Sequence, residues 1–135
     1  MPAKNTSGIV TPKETDTAVR TATAQLRDLL EGSGQAIYLY QDDHHKACNQ
    51  RFAELLGYTS PDSWATVHTS FPSTFVAPKS QEVLVEAYQA AVNDGVATTV
   101  PITWKRKDGK TVDTDVILVP IDVEGRRLAL HFITA

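Results

Sequence analysis

Two short strands, a block of helices and three consecutive strands place this chain in the α+β class, with an antiparallel sheet. Three observations predict it. No strand–helix–strand alternation recurs, so a parallel α/β sheet is excluded. The last third reads as strand, turn, strand, turn, strand. Val100, Ile102 and Trp104 share one side of the first of these strands, and Asp108-Gly109 is a hairpin turn signal. Finally, Val116-Ile117-Leu118-Val119-Pro120-Ile121 is apolar on both faces, so both sides of the sheet need cover.

Taken in order, residues 1–10 lack periodicity and are expected to form a disordered leader. Thr11-Pro12-Lys13-Glu14 then starts a helix over 11–32, with Thr11 as cap, Pro12 in the first position and Glu14 completing a capping box. Val19, Ala22, Leu26, Leu29 and Leu30 form its apolar stripe, and Gly32 and Gly34 end it. Its Thr15, Thr17, Thr21 and Thr23 are poor helix formers, so the helix needs a partner surface. Ala36 to Gln41 is the first strand, Asp42-Asp43-His44 a turn, and the second strand ends at Cys48. Asn49 caps a short helix in which Phe52, Leu55 and Leu56 make one stripe, and Gly57 supplies the left-handed stop. Ser60-Pro61 starts a second short helix carrying Trp64, Val67 and His68. Residues 69–79 read as a loop from which Phe71, Phe75 and Val76 dip into the core. Ser80 caps a longer helix with Val83, Leu84, Ala87, Tyr88, Ala91 and Val92 on one face, closed by Gly95. Val123-Glu124-Gly125 is the last turn, and Arg127 to Thr134 the last strand.

Because both sheet faces are apolar, the central helices are expected on one and the N-terminal helix on the other, on its own sheet or on that of a neighbouring copy. The heptad-like spacing of that helix also permits pairing between two copies. Composition narrows the function classes. At 135 residues the chain is one domain, and 41% apolar residues suffice for a single core. A net charge of −3 and only one cationic run, Lys105-Arg106-Lys107, argue against nucleic acid, and the run reads as the solvated end of a hairpin. A single cysteine excludes a disulfide framework and fits a reducing compartment. No apolar run approaches the ~20 residues that span a bilayer. A cytoplasmic location is expected.

Four segments carry a family resemblance: Ala36-Ile37-Tyr38-Leu39-Tyr40, Cys48-Asn49-Gln50-Arg51-Phe52, Leu55-Leu56-Gly57-Tyr58 and Lys105-Arg106-Lys107-Asp108-Gly109-Lys110. In that order and spacing, residues 36–135 resemble a PAS domain. The resemblance implies a five-stranded antiparallel sheet with helices on one face and an N-terminal flanking helix on the other. It implies a cavity between sheet and helices, and a sensor of ligand, light or redox state that biases an attached output module, as in two-component signalling. It also adds weight to a homodimer. The cofactor-bearing members do not match. Flavin photoreceptors of the light–oxygen–voltage type carry their cysteine on a helix after the Gly-Tyr stop, whereas Cys48 precedes Asn49 on a strand. Photoactive yellow protein needs a cysteine near residues 75–79, and haem-binding members a histidine on the long helix; neither is present. The expectation is a sensor with no identifiable cofactor and an unnamed small molecule as ligand.

The expected cavity lining is Phe52, Leu56, Phe75, Leu84, Tyr88, Ile102, Trp104, Leu118, Leu130 and Phe132, with Cys48 facing it by the resemblance and His68 at its mouth. Such walls suit a flat aromatic or fatty ligand. His131 is expected on the outer face, against the N-terminal helix. Asp42-Asp43-His44-His45 has the residue types of a metal site, but neighbours on a tight turn do not converge on one ion, so no metal is expected. A sensory and dimerising module without enzymatic activity is the expected function, with an unknown output domain as partner. One alternative is a cone-shaped α+β enzyme of the ketosteroid-isomerase type, which would need a carboxylate in the pocket as base. Asp113 and Asp115 are expected to face away from the pocket. The other alternative is a ligand-free interaction domain using the outer sheet face.

Overall fold

The computed structural model describes residues 12–135, with side chains from residue 17 onward, so the leader at 1–10 and the Thr11 and Glu14 capping box lie outside the described residues. The elements are α1 (Pro12–Gln25), α2 (Arg27–Gly32), β1 (Ala36–Asp42), β2 (His45–Cys48), α3 (Gln50–Leu55), α4 (Pro61–Ala65), α5 (Phe71–Phe75), α6 (Pro78–Asp94), β3 (Thr98–Lys105), β4 (Thr111–Val123) and β5 (Arg126–Thr134). The five strands form one antiparallel sheet in the order β2-β1-β5-β4-β3.

Three boundaries differ from the sequence reading. The N-terminal helix is two pieces with a break at Leu26 (φ −101°, ψ 13°), although Leu26 N–H still donates to Ala22 O and Leu30 N–H to Leu26 O, both at 2.9 Å. The expected loop at 69–79 contains α5, and α6 begins at Pro78. Ser80 therefore is not a cap: its hydroxyl accepts from Thr103 N–H at 2.9 Å and ties α6 to β3. The third difference is the end of α4 at Ala65, which leaves His68 beyond the helix.

Asn49 starts α3 as its sequence context requires, and does more. Its Oδ1 accepts from Phe52 N–H at 3.0 Å and from Ile37 N–H at 3.1 Å. Its Nδ2 donates to Leu30 O at 3.1 Å and to Gln35 O at 2.9 Å. One buried carboxamide thus joins α2, the α2–β1 connection, β1 and α3.

The cationic run at the β3–β4 hairpin is docked rather than merely solvated. Arg106 Nη1 donates to Leu55 O at 2.6 Å and Lys107 N–H to Leu56 O at 2.8 Å, which satisfies the free carbonyls at the end of α3. Lys107 Nζ lies 5.4 Å from the Tyr58 ring centre, and Lys105 Nζ donates to Ser73 O in α5. Lys46 acts likewise at the end of α4: its buried Nζ donates to Asp43 O (2.7 Å), Ala65 O (3.1 Å) and Val67 O (2.6 Å).

The sheet separates two cores. Between sheet and helices lie Tyr38, Phe52, Trp64, Phe71, Phe75 and Trp104, packed with Leu56, Leu84, Ile102, Val116, Leu118 and Ile133. On the reverse face Val19, Ala22 and Leu30 of α1 and α2 bury against Ile37, Leu39, Val123, Leu128 and Leu130, with Leu26 and Phe132 half-buried at the margin. Of the two covers that the apolar outer face allows, the flanking helix takes its own sheet. Leu29 departs from the expected stripe and is 40% exposed.

Asn49→Asp tests the junction. It keeps the acceptor that caps α3 and replaces both donors with an oxygen facing two carbonyls. Stability should drop by roughly 2–3 kcal/mol. Amide hydrogen exchange should rise across α2 and the α2–β1 connection before it rises in α3. Uniform acceleration across both would show that Asn49 does not hold the flanking helices selectively.

Candidate functional site

Register places the side chains of the inner face. Opposed residues in an antiparallel pair share a face, so Tyr38 and His131 lie side by side, with Leu118 next to His131. Tyr40 follows on β1, and α5 and α6 close over this corner. The result is a cleft of about 230 Å³ lined by Tyr38, Tyr40, Phe71, Pro72, Leu84, Val85, Tyr88, Gln89 and His131. Its walls are mostly rings: Tyr40 meets Phe71 edge-on at 4.8 Å and Tyr88 at 5.2 Å, and Tyr38 stacks on His131 at 3.8 Å and 11°. A larger groove of about 820 Å³ runs between α2 and α3, but it is a surface trough with Arg27, Glu31, Arg51 and Glu54 on its walls.

Two hydroxyls are already used. Tyr88 Oη donates to Gln41 O at 2.7 Å, and Tyr40 Oη to Asp43 Oδ1 at 2.8 Å. Asp43 Oδ1 also accepts from Phe71 N–H at 3.1 Å, which pins the first turn of α5 to the β1–β2 hairpin. Tyr38 Oη has no hydrogen-bond partner among the described residues, although the residue is only 1% exposed. His131 Nδ1 lies 3.1 Å from Ala129 O, a carbonyl that can only accept. Nδ1 therefore carries the proton, and Nε2 is left as an acceptor.

Burial sets the protonation states. It pushes the Tyr38 phenol well above its ordinary range and Tyr88 up to about 12. Tyr40 is raised by burial first and by its bond to Asp43 second. His131 is held down to about 3 by burial, against the opposing carbonyls of Tyr38 and Ala129. The cleft floor is uncharged at neutral pH. Cys48, beneath α3, is pushed up to about 12 by burial, so its thiol is a poor nucleophile.

Of the expected lining, only Leu84 and Tyr88 reach the cleft. Phe52, Leu56, Phe75, Ile102, Trp104 and Leu118, with Cys48, are on the inner side but fill it as close-packed core. His68 is exposed, sits with its ring 4.4 Å from that of His44, and does not line the cleft. Leu130 and Phe132 face α1 and α2, and His131 faces the cleft, the reverse of the expected assignment. The physical reason is the last turn. Glu124 and Gly125 both have positive φ (53° and 75°) and form a two-residue turn, so Val123 pairs with Arg126. Counting Val123 into the turn slips the strand by one residue and exchanges its faces. Asp42 accepts from His44 N–H at 2.9 Å and meets His45 Nδ1 at 2.6 Å, so that run is a bonded hairpin turn. No group of three or more His, Cys, Asp or Glu among the described residues is arranged to hold a metal ion.

The comparisons with known proteins decide the family. A family profile described as PAS fold matches residues 45–133. The chain belongs to the PAS family. Among curated proteins none matches it. Solved structures with the same fold include the PAS domain of an HTR-like protein from Haloarcula marismortui, 20% identical, with 90% of this chain and 98% of that chain covered and a TM-score of 0.59. A PAS domain from Colwellia psychrerythraea is 20% identical over 84% of this chain and 95% of its own, with a TM-score of 0.65. A domain of a sensory box sensor histidine kinase/response regulator from Geobacter sulfurreducens is 14% identical over 87% and 96%, with a TM-score of 0.62. No helix of the described residues is long and apolar enough to cross a membrane.

The buried histidine makes this PAS domain acid-sensitive in a defined window. Its folded value lies below the ordinary 6.5, so the unfolded chain binds the extra proton first as pH falls. Stability from this residue is intact above about 6.5 and declines toward about 3. The slope is at most ~1.4 kcal/mol per pH unit. Chemical denaturation at intervals across that window should show a shallower fall for His131→Gln than for the parent protein; parallel curves would contradict the assignment.

Proposed function

We propose that this PAS domain is a non-catalytic input module that takes a small molecule, without a covalent or metal cofactor, into the cleft over β1 and β5. It reports occupancy through the reverse face of the same two strands. One observation carries the reading: β1 and β5 are the only layer between the cleft and the flanking helices. Tyr38, Tyr40 and His131 point to the cleft, while the alternate residues Ile37, Leu39 and Leu130 point to α1 and α2. Close-packed layers transmit displacement, so a shift of Tyr38 or His131 is felt by the residues behind them.

The output surface proposed is a contact between two copies, with an unidentified output domain beyond it. α1 and α2 cover β1, β5 and the turn end of β4, but Ile117 is 41% exposed, beside half-buried Val119 and Phe132 on the outer face. With exposed Leu29 these extend the apolar surface of the flanking helices, and a two-fold contact would bury them. A cytoplasmic setting fits the lone thiol of Cys48. The isomerase-type alternative lacks support, because Asp113 bonds Thr103 on the outer face and Asp115 lies on that side too.

Sedimentation at micromolar concentration tests the output surface. The parent chain should sediment as a dimer, and Leu29→Asp with Ile117→Asp as a monomer with unchanged helix content and thermal midpoint. A parent monomer, or a dimer that survives both changes, would remove this surface from the proposal.

A further inference from the structure

Two polar atoms of the cleft residues have no hydrogen-bond partner among the described residues: the Tyr38 hydroxyl and His131 Nε2. They sit on rings stacked 3.8 Å apart, so one ligand group can meet both. The Tyr38 hydroxyl, on a residue only 1% exposed, opens to the cleft, where a bound group would take the place of solvent as its partner. Nε2 can only accept, so its partner must be an O–H or N–H donor. Tyr38 can then donate to, or accept from, the same group.

Size and charge narrow the rest. The volume of about 230 Å³ exceeds the ~150 Å³ of an apolar cavity that holds benzene, and fits one ring with a short substituent or a fused pair of rings. No lysine or arginine lines the cleft, and the nearest charges, Asp42 and Asp43, raise the Tyr40 phenol. An anionic ligand would be buried unpaired beside carboxylates. A quaternary ammonium could lie against rings, but it has no hydrogen to give Nε2. The walls touch one another edge-on rather than enclosing a central cation.

Resting on the cleft as the input site, we propose that it takes a small uncharged aromatic molecule bearing one O–H or N–H donor, of the phenol or indole class. The ring lies against Tyr40, Phe71 and Tyr88, and the donor meets His131 Nε2 with Tyr38 Oη alongside. Burial keeps His131 neutral at working pH, so the acceptor is always available.

Calorimetric titration of the full chain with phenol, indole, benzene, benzoate and choline tests this. Phenol and indole should bind, benzene about fivefold or more weaker, and benzoate and choline not measurably. Tyr38→Phe should weaken phenol several-fold while leaving benzene unchanged, and Leu84→Trp, which fills the cleft, should abolish binding. Should a variant fail to fold, saturation-transfer contacts from phenol protons to the Tyr38 and Tyr88 rings of the parent protein decide the same point. Benzoate, choline or benzene binding as tightly as phenol, in a Leu84-dependent way, overturns the ligand class and leaves the cleft as the input site. Binding insensitive to Leu84→Trp, or no binding by any probe at millimolar concentration, overturns the input-site reading along with the class.

Discussion

Asn49 accepts from Ile37 and Phe52 and donates to Leu30 and Gln35, and the rest of the structure is arranged around those four bonds. Both acceptor sites and both N–H groups of the carboxamide are in use, which is why a polar side chain can be buried here without penalty. The bond to Phe52 starts α3 and aims Phe52 into the centre of the inner core. The bond to Ile37 sets where β1 begins. Those to Leu30 and Gln35 hold the end of α2 against the sheet, so that Val19, Ala22 and Leu30 reach the outer core. A flanking helix in this fold is therefore tied to the domain by hydrogen bonds at one end and by apolar burial along its length.

The space under the helices is small because aromatic rings occupy it. Tyr38, Phe52, Trp64, Phe71, Phe75 and Trp104 form a continuous chain of contacts with centroids between 4.6 and 6.2 Å. The Trp104 indole donates to Thr114 at 2.8 Å, while the Trp64 Nε1 has no partner and its ring instead lies 5.2 Å from the Lys46 ammonium. At the β1, β5 and α6 corner the rings leave a cleft unfilled. A cleft at a corner rather than a central chamber leaves the core rigid and confines any ligand to the strands that carry the flanking helices.

Helix ends are closed by donors from elsewhere in the chain, three of them cationic side chains and one a backbone N–H. The Arg106 guanidinium and the Lys107 backbone N–H close α3, the Lys105 ammonium closes α5 and the Lys46 ammonium closes α4. These short helices have few internal hydrogen bonds, and the borrowed donors satisfy carbonyls that would otherwise face the core edge. The β3–β4 hairpin is thereby locked to the helical layer, and the sheet and its roof behave as one body.

The alternation of the strands, the Asn49 cap, the glycine stops and the amphipathic N-terminal stripe are local properties, so the class, the element order and cover on both sheet faces were determined by the sequence itself. The inner positions of Ile102, Trp104 and Leu118 were legible for the same reason. The site was not. Whether Leu130 or His131 meets the cleft depends on whether the turn before β5 has two residues or three, and a one-residue slip reverses every side chain. Whether apolar walls enclose a vacancy or a packed core depends on how six rings from five elements interlock, a sum over distant neighbours that no local pattern contains. Tertiary packing alone decided that the chamber is full at its centre and open at one corner, because close packing is a property of volumes brought together and not of the residues taken one by one.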